Sequence, residues 1–148
     1  MTISTWIRRA GLALVTSLAL VAGASAAQAA GITLKVAVVH AQKQAGPDDP
    51  ALDRIRGQLQ KAFAGYKSFK QLDKREFKLL PGKKDSLKLP GNKSAEFAYQ
   101  GPGGKGVHKV ALKVGNNEFD LRIPERRLFF QAGLKHQGGM LVLAIYLR

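Results

Sequence analysis

From Tyr66 to its C-terminus the chain carries apolar residues at a period of two, cut by turn signals, with no convincing second helix. That period belongs to strands, whose successive side chains point to opposite faces of a sheet. Two turns look alike: Leu80-Pro81-Gly82-Lys83 and Leu89-Pro90-Gly91-Asn92 both place Pro before Gly. Proline fixes a negative φ and glycine accepts the positive one that a type II turn requires. The two turns bracket a short strand, Ser86 to Leu89. Around it Phe77, Leu79, Leu87 and Leu89 share a core face, while Lys78 and Lys88 take the outer face.

A better-specified hairpin spans Val107 to Ile123. With Gly115-Asn116 as a two-residue turn, Lys113 faces Glu118, Leu112 faces Phe119, Val110 faces Leu121 and Lys109 faces Arg122. Apolar pairs then fall on one face and polar pairs on the other, whereas a three-residue loop scrambles the faces. Pro124 ends this strand. Arg127 to Gln131 and Met140 to Leu147 are apolar on both faces, so the last segment reads as a central strand, with Gly138-Gly139 as the turn before it.

Upstream, Ile32 to His40 alternates and then becomes continuously apolar, the pattern of a strand buried on at least one face. One helix follows, predicted from about Pro50 to Ala64. Asp49 caps it and Pro50 occupies its first position, where a missing N–H costs nothing. Leu52, Ile55, Leu59, Ala62 and Phe63 form its apolar stripe, and Gly65 is placed to stop it. The expected fold is mainly β (α+β): an antiparallel β-sandwich or curled sheet with one amphipathic helix near the mature N-terminus, over a face or an end.

The first thirty residues read as an address. Arg8 and Arg9 precede an apolar stretch, Gly11 to Gly23, and small residues around Ala26 and Ala29 offer cleavage sites, the pattern of a secretory signal peptide. A retained spanning helix is the competing reading, but the second half of the run is Ala-rich and weakly apolar. The surroundings of the Arg pair match a twin-arginine signal poorly. The expected organisation is a signal peptide over 1–30 and a single β-rich domain over 31–148, exported to the periplasm or secreted, with no transmembrane span after cleavage. Cysteine is absent, so such a domain holds by burial alone and has no thiolate chemistry.

Without Arg8 and Arg9, 22 of the 24 basic residues remain against 10 acidic ones, a net +12. Residues 61–93 hold +7 of it. Outside the cytoplasm the abundant anions are lipid phosphates, acidic glycans and wall polymers rather than genomic nucleic acid. The candidate site is therefore a lysine-rich surface of Lys70, Lys74, Lys78, Lys83, Lys84, Lys88 and Lys93, with Lys105 contributed by a glycine-rich connection. Lysine predominates over arginine there, which suits diffuse attraction more than bidentate recognition. Tyr66, Phe69 and Tyr99 are candidates for stacking, with Phe69 the better core residue.

Other chemistry finds little support. His40, His108 and His136 lie far apart on different predicted strands, with no metal-ligand spacing between them. Gly101 to Gly106 resembles a phosphate-binding loop in composition only: no Ser or Thr follows Lys105 and no helix begins there, so it reads as a mobile strand connection. Ser68, Ser86 and Ser94 lie in no nucleophile elbow, and neither a carboxylate pair nor a cofactor motif is visible. No enzyme activity, metal or cofactor is expected. The sequence favours a non-enzymatic binding domain for an anionic envelope polymer or lipid headgroup. The alternative is an accessory or structural subunit of an envelope protein assembly, its charge serving solubility only. A hydrolase with a dispersed site predicts that one His, one acid and a Ser or Thr converge.

Overall fold

A computed structural model describes residues 30–148; the signal-peptide reading of the preceding residues lies outside them. Strand β1, Ile32–Gln42, is followed by a 3-10 turn at Pro50–Leu52 and by helix α1 at Arg56–Ala62. Seven further strands complete the chain: β2 Ser68–Leu79, β3 Lys84–Leu89, β4 Lys93–Gly104, β5 Val107–Val114, β6 Asn117–Pro124, β7 Leu128–His136 and β8 Gly139–Leu147. They form two antiparallel four-stranded sheets, ordered β2-β1-β8-β7 and β3-β4-β5-β6. Each strand neighbours its successor in sequence except where the chain crosses between sheets, after β2 and after β6, and the β1–β8 pairing closes the circle.

The inner faces share one core. Leu34, Val36, Phe77, Leu143 and Ile145 from the first sheet meet Leu87, Phe97, Val110, Leu112 and Ile123 from the second. Phe77, Leu79, Leu87 and Leu89 are all buried, as the period-two pattern expects. The hairpin register is also the expected one: Lys113 faces Glu118, Leu112 faces Phe119, Val110 faces Leu121 and Lys109 faces Arg122. Gly82 and Gly91 have φ of 80° and 79°, the sign their turns need. Asn92 also adopts a positive φ, so the second of these turns spans Pro90 to Asn92 and differs from the first.

A second cluster lies on the outer face of the first sheet, where Leu52 and Leu59 pack on Val39, Ala41, Phe69 and Val142. Strand β8 is thus covered on both sides: Leu141, Leu143 and Ile145 point inward, Val142 and Ala144 outward. The end of β1 is covered on both sides as well, with Val36 and Val38 in the inner core and Val39 and Ala41 in the outer cluster, which accounts for the apolar run there.

Several expectations are corrected. The helical segment lies between β1 and β2, in the order the sequence has it and not at the N-terminus itself, but it is not one helix. Asp49 accepts from the N–H of Ala51 as expected, but its other oxygen accepts from Gln71 N–H on β2 at 2.8 Å. These bonds tie the first turn to the sheet. The Arg56 guanidinium reaches back to the Asp49 carbonyl at 2.8 Å and to the Asp53 carboxylate, holding the break between the two pieces. The helix ends at Ala62, before Gly65, and Ala62 itself is exposed. The last hairpin turns at Gln137-Gly138, both with positive φ, because Gly139 already pairs with His136.

Candidate anion-binding site

The lysines singled out in sequence do not share one surface. Lys74 and Lys78 lie on the outer face of β2, opposite in pleat to Phe77 and Leu79, and Lys84 and Lys88 lie on the outer face of β3. Both strands are edges, so lysine ammoniums also guard unpaired backbone there. The turn Leu80–Lys83 folds β3 back beside β2 without laddering the two, and Lys83 N–H closes that turn onto the Leu80 carbonyl at 2.9 Å. Across the seam Arg75 donates from Nη1 to the Ser86 carbonyl at 2.7 Å while its guanidinium lies 5.3 Å from the Phe77 ring centroid.

That bond fixes how the rows align. Lys78, Lys83 and Lys84 gather at the turn, and Lys74 and Lys88 lie farther along, ~13 Å away at 3.3 Å per residue. Lys84 pairs with Glu96 at 3.4 Å, and Glu76, between Lys74 and Lys78, is engaged by Lys35 at 3.7 Å and Arg148 at 3.6 Å. Lys74, Lys78, Lys83 and Lys88 have no ion-pair partner among the described residues. This β2/β3 corner is a strip of cations whose outward-facing glutamates are already engaged, while Asp73 and Asp85 each accept from the backbone N–H that follows them and form no ion pair.

The other candidates sit elsewhere. Lys70 lines a groove with Asp48 and Asp49, and its charge helps hold the Asp49 carboxyl below its usual range, after the two backbone bonds from Gln71 and Ala51. Lys93 begins β4 at the end of the fold remote from Lys83. Lys105 lines a separate groove, between the β4–β5 and β6–β7 connections. The glycine-rich segment around it is not a loose connection: Gly101 to Gly104 belong to β4, where two bulges and positive φ at Gly101 and Gly104 bend the strand. Only Lys105 and Gly106 form the turn.

The aromatic candidates are all engaged. Tyr99 is 1% exposed and Phe69 is buried, while the half-buried Tyr66 sets its hydroxyl 3.9 Å from the Met140 sulfur. The histidines, in contrast, are brought into contacts that sequence spacing did not reveal. His40 is buried, donates from Nε2 to the His136 carbonyl at 3.0 Å, and meets the His136 ring edge-on. His108 links the Tyr99 hydroxyl, 2.7 Å from its Nδ1, to the Glu125 carboxylate at its Nε2. The acceptor at Nε2 fixes the neutral ring with its proton there, so Tyr99 donates to Nδ1.

This chain of Tyr, His and Glu has the order of a nucleophile, base and orienting acid, but its hydroxyl faces the core. Desolvation first, and the Glu125 charge second, raise the Tyr99 pKa and keep the phenol protonated. No Ser or Thr joins it, so the convergence expected of a dispersed hydrolase site is met only in its His and acid. Its evident work is to satisfy a buried hydroxyl and to anchor the β6–β7 connection.

No helix among the described residues is long and apolar enough to cross a membrane, and no group of three or more His, Cys, Asp or Glu is placed to hold a metal. Comparison with protein-family models, with curated proteins and with solved structures finds no match to this chain.

Proposed function

We propose that the protein is a non-enzymatic binding domain, exported to the periplasm or beyond by its N-terminal segment, that associates with an anionic envelope polymer or lipid surface through the β2/β3 corner. The observation that carries this reading is the strip of Lys74, Lys78, Lys83 and Lys88 on two adjoining edges, with Glu76 and Glu96 already occupied by other cations. Lysine heads on flexible stems suit a ligand with distributed rather than fixed charge. The alternative, a subunit of an envelope assembly, draws on the same edges and on Leu72 and Leu80, which are exposed beside the strip.

The test is binding of the purified protein to lipopolysaccharide, anionic vesicles, wall polymer and acidic polysaccharide at low and high salt. Replacing Lys74, Lys78, Lys83 and Lys88 by Glu is expected to lower affinity at least tenfold with an unchanged melting temperature. Selective binding that persists where screening extends over ~8 Å supports this reading. Binding that is uniform across the panel and lost with salt, or indifferent to the four substitutions, overturns it in favour of a protein partner.

A further inference from the structure

At the Lys83 end of the fold, a second group of cations has a different construction. The β4–β5 turn, Lys105-Gly106, and the β6–β7 connection, Glu125-Arg126-Arg127, face each other across an open groove of about 520 Å³. Two backbone bonds hold its walls: Glu125 N–H donates to the Gly106 carbonyl at 2.8 Å, and Arg126 N–H to the Leu147 carbonyl at 2.9 Å. Arg126 adopts φ 57°, a left-handed conformation that a residue with a Cβ rarely takes unless its surroundings impose it. Lys105, Arg126 and Arg127 all line the groove, and none has an ion-pair partner among the described residues. The one acid on the rim, Glu125, is turned onto His108, which the buried Tyr99 hydroxyl holds from below. One oxygen of that carboxylate is thereby held by the imidazole, and the three cations outnumber its single charge.

The geometry points to a binding site for a terminal phosphate group carried on a larger molecule. Two guanidinium forks and one ammonium match a tetrahedral dianion, and arginine offers the paired donors that the lysine corner lacks. The openness of the groove leaves room for the rest of the ligand. This site goes beyond the corner proposed above and shares none of the four lysines that test it.

The purified full-length protein is titrated with glycerol 1-phosphate, inorganic phosphate and glycerol at 0.15 M salt, followed by amide NMR and calorimetry. In a parallel arm, vesicles containing phosphatidic acid are compared with vesicles containing phosphatidylglycerol, whose phosphate is a diester. Saturable binding of the monoester, with shifts confined to residues 103–108 and 124–128 and no response to glycerol, is expected. Arg126→Gly keeps the left-handed backbone and removes only the side chain. It and Arg127→Gln are each expected to weaken binding about tenfold, as loss of a charge-assisted contact does. Melting temperatures establish that both variants fold. Preference for phosphatidic acid over the soluble ester identifies a lipid source, and the reverse a soluble one. Shifts scattered over all basic residues, no saturation, or wild-type affinity in both arginine variants overturns the proposal. The Lys74, Lys78, Lys83 and Lys88 reversal leaves this binding intact if the two sites are separate, so failure of one reading is distinguishable from failure of the other.

Discussion

The chain crosses between its sheets twice, after β2 and after β6, and the two crossovers are secured in opposite ways. At the first, the tie is on the surface: the Arg75 guanidinium lies over Phe77 and bonds the Ser86 carbonyl, with lysines on either side. At the second, the tie runs outward from the core, from Tyr99 through His108 to Glu125. Farther along the same seam, toward the β5–β6 turn, the edges of β6 and β7 open onto an apolar pocket of about 200 Å³ lined by Leu112, Val114, Phe119 and Leu134. A crossover held from inside leaves its outer side chains uncommitted, which is why Arg126 and Arg127 are free to face a groove. A crossover held from outside uses its arginine structurally and leaves only lysines as its unpaired cations.

The largest expected effect tests packing at the two seams. Phe77 is 1% exposed and packs against Phe97 at 5.7 Å, so Phe77→Ala should cost about 3–5 kcal/mol in urea unfolding. Phe119 at the β6/β7 seam is only half-buried, and Phe119→Ala should cost about 1–2 kcal/mol, since less of its surface leaves water on folding. Equal losses would break the contrast between a closed and an open seam.

Next is the internal tie. Tyr99→Phe leaves His108 Nδ1 without its donor and should cost about 1–2 kcal/mol. It should also change the alkaline limb. The raised Tyr99 pKa means that the unfolded state loses its phenolic proton first, so that share of stability is present below about pH 10 and is lost as pH rises beyond it. Unfolding followed from pH 8 to 11 should show a shallower decline in the variant, and parallel curves would remove Tyr99 as the source. Smaller still is the external tie: Arg75→Ala should cost about 1 kcal/mol by losing one exposed hydrogen bond and a ring contact. Arg75→Lys should not restore it, because an ammonium cannot both lie flat over Phe77 and reach Ser86. The smallest change sharpens the comparison as a control. Gly57 lies inside α1 with open space around its Cβ position, so Gly57→Ala should add up to ~1 kcal/mol by thermal melting and leave both seams unaffected.

Much of the second sheet was legible because its signals are local. Pro81-Gly82 and Gly115-Asn116 set turn geometry from their own φ preferences, and a two-residue hairpin loop leaves one register in which Val110 meets Leu121. Helical periodicity correctly found Leu52 and Leu59 but joined them into one helix, because the grip of Asp49 on Gln71, across the β1–β2 connection, leaves no trace in spacing. The candidate site was legible only in part. Lys74, Lys78, Lys84 and Lys88 could be placed outward by alternation, yet nothing in sequence separated Lys93 and Lys105 from them. Arg126 and Arg127 were passed over because their +2 stood outside the densest run of charge.

What the sequence by itself determined is which residues turn the chain and which face of each strand is apolar, since both follow from dihedral limits and the pleat of a single segment. Only the tertiary structure decided which cations converge and which acids they leave engaged. Bulges in β2 and β4 shift the register, and the two crossovers choose which edges adjoin, so Tyr99, His108 and Glu125 come into line. Those are long-range packing choices, settled by how two sheets bury a common core rather than by any residue's own neighbours.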